Sequence, residues 1–267
     1  MPRRTRSPTL PAMKIAHISD IHCGEVHFVP GLMDRAINEI NDQQPDIVVC
    51  SGDLTAMGFK QEYVQAKAYL DRLECDTVVV IPGNHDSRNV GYIHFEELFG
   101  SRNHVVQREG VTIVAVDSTE PDLDHGQIGR GRYPWIEEKF AEGDAELRIF
   151  VLHHHLLPIP GTGRERNIVY DAGDLLEVLL RSQVKLVLAG HKHVPYAWHL
   201  ENLFVVTTGT VSTLRLRGHG QPCYNVIEVG SEWVRIYRKY PFDGQEPIIE
   251  FSRATHEYEK HGLTAST

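Results

Sequence analysis

Apolar runs typical of buried strands alternate with amphipathic segments along most of the chain. The predicted strands cover residues 14–19, 46–50, 77–81, 111–116, 147–152 and 184–189. The predicted helices cover residues 32–40, 60–73, 135–140 and 172–181. The strand runs are short and rich in β-branched residues, whereas the helical segments repeat apolar side chains every three or four positions. Such strand–helix repeats with short loops predict parallel strands joined by right-handed crossovers.

The pattern changes after about residue 200. Residues 203–207, 223–229 and 232–240 have strand patterns with no helix between them, which predicts a mixed second sheet packed against the first. We expect one domain over residues 13–267, with residues 210–267 completing the second sheet and forming a C-terminal extension. Whether that extension narrows a cleft or forms a dimer surface stays open. Residues 1–12, rich in arginine and proline, are expected to form a disordered tail.

Polar clusters follow the ends of five predicted strands. They contain Asp20 and His22, then Asp53, then Asn84-His85-Asp86, then His153-His154-His155, and finally His191 and His193. In parallel sheets the carboxyl ends of the strands lie at one edge, where ligands bind. We therefore expect these clusters to meet at a single site.

Imidazole and carboxylate donors together suit zinc, iron or manganese. Asp20 and His22 are two positions apart, so both can face one ion from an extended segment, as can His191 and His193. Asp53 can bridge two ions through its two oxygens. The predicted ligands are Asp20, His22, Asp53, Asn84, His153, His191 and His193. Seven ligands fit two ions with water between them.

Composition and net charge limit the kinds of ligand and partner that the protein is expected to bind. The chain has 267 residues, 41% hydrophobic and 24% charged, as in an ordinary globular protein. A net charge of −9 argues against binding a nucleic-acid polymer, which needs a basic surface. The 16 histidines favour metal or acid–base chemistry. No stretch approaches the roughly 20 apolar residues of a membrane span. Four scattered cysteines predict a reducing, cytoplasmic compartment.

The five polar clusters, in this order, resemble the calcineurin-like metallophosphoesterase superfamily over about residues 14–210. The resemblance implies an α/β protein with mixed sheets, a four-layer double β-sandwich flanked by helices. The His-rich motif before Pro158-x-Pro160 is most similar to bacterial class III cyclic-nucleotide phosphodiesterases and glycerophosphodiesterases. The second cluster continues as Leu54-Thr55-Ala56-Met57-Gly58, without the Asp-Arg pair of the phosphoprotein phosphatases. A protein phosphatase is therefore disfavoured.

The resemblance also implies how the ligands are shared. One ion would be held by Asp20, His22, Asp53 and His193, and the other by Asp53, Asn84, His153 and His191. Family members often have His-His-Pro-Pro where this chain has His-His-His-Leu-Leu-Pro. Counting back from Pro158 and placing the ligand directly after the strand selects His153, with His154 as the alternative.

The remaining residues of the third cluster are candidates for catalysis and substrate binding. Two ions about 3.5–4 Å apart lower the pKa of a bridging water and align a phosphate ester for attack. Asn84 would be both a ligand and part of the substrate site, and His85 would contact the phosphate or protonate the leaving oxygen. Asp86 is expected to orient His85, the alternative being a turn or cap carboxylate. Further candidates for substrate contact are Arg88, Arg164, Arg166 and Asn167, each of which could instead be solvated.

The sequence thus predicts a metal-dependent phosphodiesterase that acts on a cyclic nucleotide or a glycerophosphodiester by attack of metal-activated hydroxide. The expected cofactors are two divalent or trivalent ions of manganese, iron or zinc. The alternatives are a phosphomonoesterase, a nucleotide pyrophosphatase with the same ions, and a non-catalytic scaffold of the same fold. The expected partner is a small phosphoester, with no nucleic acid and no membrane, and a homodimer is left open.

Overall fold

The computed structural model describes residues 13–162, 168–217 and 220–261. The expected N-terminal tail, residues 1–12, lies outside the described residues. So do Arg164, Arg166 and Asn167, which the sequence suggested as substrate contacts. Within the described residues no helix has both the length and the apolar character needed to cross a bilayer.

The described residues form thirteen strands and five α-helices. The strands are β1 (Met13–Ile18), β2 (Ile47–Cys50), β3 (Val78–Val80), β4 (His104–Arg108), β5 (Val111–Ala115), β6 (Leu147–Val151), β7 (Leu186–Ala189), β8 (Tyr196–Leu200), β9 (Leu203–Thr207), β10 (Tyr224–Val229), β11 (Trp233–Lys239), β12 (Gln245–Ser252) and β13 (Tyr258–Lys260). The helices are α1 (Pro30–Gln43), α2 (Lys60–Leu70), α3 (Gly91–Phe99), α4 (Tyr133–Ala141) and α5 (Ala172–Arg181). Every predicted strand and helix is present, with small shifts at the ends.

The strands form two mixed sheets. The first has the order β13-β12-β11-β10-β1-β2-β3, and the second has the order β4-β5-β6-β7-β9-β8. In the first, β1, β2 and β3 are parallel, as the strand–helix repeat predicted. In the second, β5, β6, β7 and β9 are parallel. Within each sheet, the carboxyl ends of these parallel strands therefore lie at the same edge.

The prediction that residues 210–267 complete the second sheet is wrong. Strand β10 runs antiparallel beside β1, with Ile227 opposite Ile15, and β11, β12 and β13 extend the same first sheet outward. Of the three late strands found in the sequence, β9 alone joins the second sheet. An apolar pattern indicates that a strand is buried but does not indicate which strand it pairs with. Strand β10 pairs with the edge of β1 that β2 leaves free.

The two sheets pack face to face, with helices outside them. Ile15, Ile113 and Ile149 belong to the apolar core between the sheets. The neighbouring residue Ala16 packs with α1, α2 and α3 on the outer face of the first sheet. Helices α4 and α5 cover the second sheet. Strands buried on both faces need continuous apolar runs, which is why the sequence showed them so clearly. The predicted four-layer α/β class is confirmed.

Candidate metal centre

The loops that follow the central strands of both sheets converge on one site. The backbone N–H of Asp20 donates to the carbonyl of Gly52 at 2.9 Å, so the loops after β1 and β2 lie side by side. Gly190 N–H donates to the carbonyl of His153 at 3.0 Å and joins the loops after β6 and β7 in the same way. The expected meeting of the polar clusters is thus observed.

Several of the predicted ligands have backbone conformations that L-residues rarely adopt. Those with positive φ are Asp20 (57°), His22 (54°), Asp53 (54°), His191 (79°) and His193 (56°). A non-glycine residue pays a conformational cost in this region, and such residues persist where the surrounding contacts hold them. Five of the thirteen such residues among those described lie in the loops of this one site, so the fold holds these side chains in place at a conformational cost.

Four of the predicted ligands form a first donor group. The Nε2 of His193 lies 3.2 Å from Oδ1 of Asp20. The Nε2 of His22 lies 3.8 Å from the same oxygen and 3.6 Å from Oδ2 of Asp53. All of these side chains are buried. Asp20, His22 and His193 place their donor atoms close enough together to hold one ion.

A second donor group shares Asp53 with the first. The Nε2 of His153 lies 3.4 Å from Oδ2 of Asp53 and 3.2 Å from Oδ1 of Asn84. The Nδ1 of His191 lies 2.9 Å from the same Asn84 oxygen. Asp53, His153 and His191 form a cluster suited to a second ion. The structure therefore brings all seven predicted ligands together in two groups joined at Asp53.

Backbone carbonyls orient two of the imidazoles. Nδ1 of His193 donates to the carbonyl of Arg215 at 2.6 Å, and Nδ1 of His153 donates to the carbonyl of Ser51 at 2.8 Å. Because a carbonyl only accepts, each Nδ1 carries a proton, and Nε2 is the nitrogen whose lone pair would bind an ion. The sequence did not indicate these partners, since a carbonyl is common to every residue. Burial alone would lower the pKa of both imidazoles, but nearby carboxylates, Asp53 for His153 and Asp20 for His193, raise it in the absence of metal, so an ion would displace a proton from Nε2.

The donor set fits cations by its chemistry. The Nε2 atoms of His22 and His193 face each other at 2.9 Å, an approach that requires a proton or a cation to relieve the repulsion between lone pairs. Burial lowers the pKa of His22 to about 3, so this imidazole is neutral and able to coordinate. Burial alone would raise the pKa of Asp53, but the surrounding imidazoles, first His153 and then His85, hold it well below its usual value. Asp53 is thus a carboxylate at neutral pH.

His153, rather than His154, faces the donor groups. His154 turns away, with its Nδ1 2.8 Å from the hydroxyl oxygen of Ser118. Burial holds the pKa of His154 well below normal, so it is a neutral core histidine. The choice of His153 from its distance to Pro158 agrees with this placement.

The predicted role of Asp86 in orienting His85 is wrong. The Asp86 carboxylate accepts hydrogen bonds from the backbone N–H groups of Leu54 (3.0 Å), Thr55 (2.9 Å) and Gly83 (2.8 Å), and from the Thr55 hydroxyl (2.7 Å). It therefore ties the loop after β3 to the loop after β2. This is the turn-carboxylate alternative that the sequence left open.

His85 is oriented by backbone instead. Its Nδ1 lies 2.5 Å from the carbonyl of Ala56, so this nitrogen carries a proton and donates a hydrogen bond to the carbonyl. The other ring nitrogen, Nε2, is available for contact with a ligand. The ring makes an edge contact with His22, with centroids 4.8 Å apart. His85 lines the cavity over the metal centre, where the sequence expected it.

A cavity of about 410 Å³ opens over the two donor groups. Its rim carries four cationic side chains, Arg88, Lys192, Arg215 and Arg217. Two acidic side chains, Asp53 and Asp124, also line the cavity, and Arg88 is paired with Asp124. The described lining therefore has a smaller excess of positive charge, which favours an anionic ligand. The sequence had suggested only Arg88 among the four cationic residues.

A family model described as calcineurin-like phosphoesterase matches residues 13–195, and the chain belongs to this family. The fold and the site agree with that membership, and the protein is a phosphoric ester hydrolase.

Curated relatives named as cyclic nucleotide phosphodiesterases are similar at low identity. The chain is 26% identical over 251 residues to a probable cyclic nucleotide phosphodiesterase of Rhodococcus erythropolis, covering 85% of this chain and 78% of the relative. It is 26% identical over 270 residues to a cAMP/cGMP dual specificity phosphodiesterase of Mycobacterium tuberculosis, covering 90% and 83%. It is 29% identical over 153 residues to the 3′,5′-cyclic adenosine monophosphate phosphodiesterase of Escherichia coli, covering 55% of this chain and 54% of that enzyme.

Solved structures share the fold at still lower identity. A purple acid phosphatase from yellow lupin aligns with a TM-score of 0.71 at 15% identity, covering 90% of this chain and 53% of that one. PhoD aligns with a TM-score of 0.67 at 11% identity, covering 96% and 72%. These structures support the architecture alone.

Proposed function

We propose that the protein is a two-metal phosphodiesterase that hydrolyses a small phosphodiester, either a cyclic nucleotide or a glycerophosphodiester. The observation that carries the proposal is the position of Asp53, whose Oδ2 lies 3.6 Å from His22 and 3.4 Å from His153. One carboxylate therefore faces both donor groups, an arrangement that would keep two ions close together for two-metal hydrolysis. The activities in the names of the curated relatives support cyclic nucleotides as the first substrates to test.

The ions would be held as the sequence suggested. Asp20, His22, Asp53 and His193 would bind the first, and Asp53, Asn84, His153 and His191 the second. Bound ions of manganese, iron or zinc would supply Lewis acidity and lower the pKa of water toward neutrality.

The residues around the ions would bind and orient the ester. The cationic side chains of the rim would attract the phosphate group. Arg88, in the loop after β3, and Arg215, in the segment after β9, both line the cavity. A water oxygen attacks phosphorus, and the bond from phosphorus to the leaving oxygen breaks. His85 donates to the Ala56 carbonyl through Nδ1, so it would protonate the leaving alkoxide from Nε2 as the imidazolium, and the proton released by the attacking water would return the ring to that form.

One observation favours a second candidate, a phosphomonoesterase or nucleotide pyrophosphatase. Four cationic and two acidic side chains line the cavity, and this positive excess can balance more than the single negative charge of a diester. A monoester or a pyrophosphate carries that additional charge at neutral pH. A non-catalytic scaffold is the third candidate, and the presence of all seven candidate metal ligands argues against it.

The proposal extends to the setting of the enzyme. We expect it to act in the cytoplasm, because its four cysteines are separate thiols suited to a reducing compartment. We expect a small phosphoester as its partner rather than a nucleic acid or a membrane, given the net charge of −9.

The test combines metal analysis with hydrolysis of matched esters. The purified protein should contain about two transition-metal ions and should hydrolyse bis(p-nitrophenyl) phosphate faster than p-nitrophenyl phosphate. Cyclic nucleotides, glycerophosphodiesters and nucleotide-sugar diphosphates are then compared. Asp53→Ala should lose both metal and turnover, whereas Asp144→Ala, an exposed loop control, should keep both. Faster hydrolysis of the monoester would favour the second candidate, and a protein that binds no metal would overturn the scheme.

A further inference from the structure

Asp124 makes two contacts to the catalytic site that the sequence did not suggest. It lies in the segment after β5 and is 61% exposed. Its Oδ1 accepts from the side-chain Nδ2 of Asn84 at 3.3 Å and from Nη2 of Arg88 at 2.5 Å. A single carboxylate oxygen thus connects a predicted metal ligand to a cation on the cavity rim.

The contact with Asn84 determines which way its amide faces. A carboxylate can only accept, so it pairs with the NH₂ side of the amide. The carbonyl Oδ1 of Asn84 then points to the opposite side, where it lies 3.2 Å from His153 and 2.9 Å from His191. A rotation of the amide by half a turn would present NH₂ to the second donor group, and NH₂ cannot bind a cation.

The contact with Arg88 places a positive charge beside His85. Nη1 of Arg88 lies 3.4 Å from Nδ1 of His85. Since that nitrogen already carries the proton toward Ala56, the contact brings charge close to the ring without adding a hydrogen bond. Without Asp124, the long Arg88 side chain would lose the partner that holds it over the cavity.

The backbone around Asp124 is itself held against the loop after β3. The Ser87 and Thr119 hydroxyl oxygens lie 2.5 Å apart, and the backbone N–H of Asp122 donates to the Ser87 carbonyl at 3.3 Å. Asp122 in turn accepts from the backbone N–H of Asn89 at 3.0 Å. These contacts fix the backbone near Asp124, although the Asp124 side chain is exposed.

We infer that Asp124 is a positioning residue that directs the Asn84 carbonyl oxygen toward the second ion and holds Arg88 at the rim of the substrate cavity. The metal part of this inference stands on the geometry, and its kinetic part rests on the proposed function. Glu120 provides a matched control, because it is an acidic residue of the same segment whose side chain makes no hydrogen bond or ion pair with the described residues.

The experiment titrates metal-free protein with Mn²⁺ alone and then measures hydrolysis of bis(p-nitrophenyl) phosphate. Asp124→Ala should weaken binding of the second ion by about 10- to 100-fold, the usual effect of losing a partner that orients a ligand. It should also raise KM, because Arg88 is released. Arg88→Ala should raise KM while both ions bind normally. Asp124→Asn, which keeps one acceptor oxygen, should restore part of the metal affinity.

Two results would overturn the inference. One is an Asp124→Ala protein that binds both ions as tightly as the wild type. The other is a Glu120→Ala protein with the same loss of metal affinity as Asp124→Ala, since the effect would then come from the loss of any acidic side chain in this segment. If the wild type binds two ions but hydrolyses no phosphodiester, the proposed function fails, while the titration still decides the role of Asp124.

Discussion

The backbone N–H of His85 donates a 2.9 Å hydrogen bond to Oδ1 of Asp53. The other carboxylate oxygen, Oδ2, faces His22 and His153, one from each donor group. The loop after β3 therefore fixes the carboxylate through its backbone, while its His85 side chain is free for another task. Metal binding and proton transfer can be separated by substitution at this position.

His85→Ala should retain both metal ions and lose most of the turnover. The substitution keeps the backbone bond to Asp53 and removes only the imidazole. Loss of a general acid lowers turnover by about 10²- to 10⁴-fold. Metal content by elemental analysis and kcat on bis(p-nitrophenyl) phosphate test this directly. His94→Ala, on helix α3, serves as the histidine control. A metal-free His85→Ala protein would show that the ring is needed as a ligand.

Asp86→Ala should destabilise the protein. Asp86 accepts four hydrogen bonds from three backbone N–H groups and one hydroxyl, and its removal leaves these buried donors without a partner. Such losses should lower the free energy of unfolding by about 3 kcal/mol or more. Urea unfolding of chelator-treated protein measures this independently of metal binding. Normal unfolding combined with lost turnover would instead assign Asp86 to catalysis.

The sequence predicted the three parallel strands of the first sheet, β1 to β3, and the residues of the two donor groups for a common reason. Buried parallel strands need unbroken apolar runs, and the polar residues that interrupt them at the carboxyl ends stand out. Helix α3 was missed because it begins after Val90, which has a positive φ of 59° and makes no side-chain cap. Strands β12 and β13 were missed because several of their side chains are exposed and weaken the apolar pattern.

Contacts between distant segments could not be predicted in this way. The partners of Asp86 lie 31 and 32 positions away for Thr55 and Leu54, and two of the three N–H donors belong to those residues. Asp124 is 40 positions from Asn84. A carboxylate in a loop has the same appearance in a sequence whether it accepts from backbone, from an imidazole or from water. The fold alone decides among these partners.

Gly190→Ala should remove metal binding by steric overlap. A Cβ at this position would collide with the Ser19 hydroxyl and with the carboxylate of Asp20, a predicted ligand of the first ion. The displaced carboxylate should lower metal content and turnover together. Gly131→Ala is the control, because open space surrounds that position. Elemental analysis of both variants checks the expectation, and a Gly190→Ala protein with two ions and normal turnover would contradict the placement of Asp20.

His17 should make the stability of the metal-free protein depend on pH. This residue is fully buried in β1, and its Nε2 lies 2.9 Å from the Ser51 hydroxyl. Burial lowers its pKa from the ordinary 6.5 to about 3. Between those two values the unfolded chain binds a proton at His17 and the folded protein does not. Stability therefore falls as the pH decreases through this range, and His17 adds no pH dependence above it.

His17→Gln should reduce that pH dependence. Glutamine has no titrating group and can still reach Ser51, so the free energy of unfolding should decrease less steeply on acidification, by up to about 1.4 kcal/mol per pH unit. Urea unfolding of chelator-treated wild type and variant, at neutral pH and near pH 5, gives the two slopes. Chelation is needed because metal affinity is itself pH-dependent. The other buried histidines, His22 and His191 among them, titrate in both proteins, so their contributions cancel in the comparison. Equal slopes in the two proteins would mean that His17 can accept a proton in the folded state.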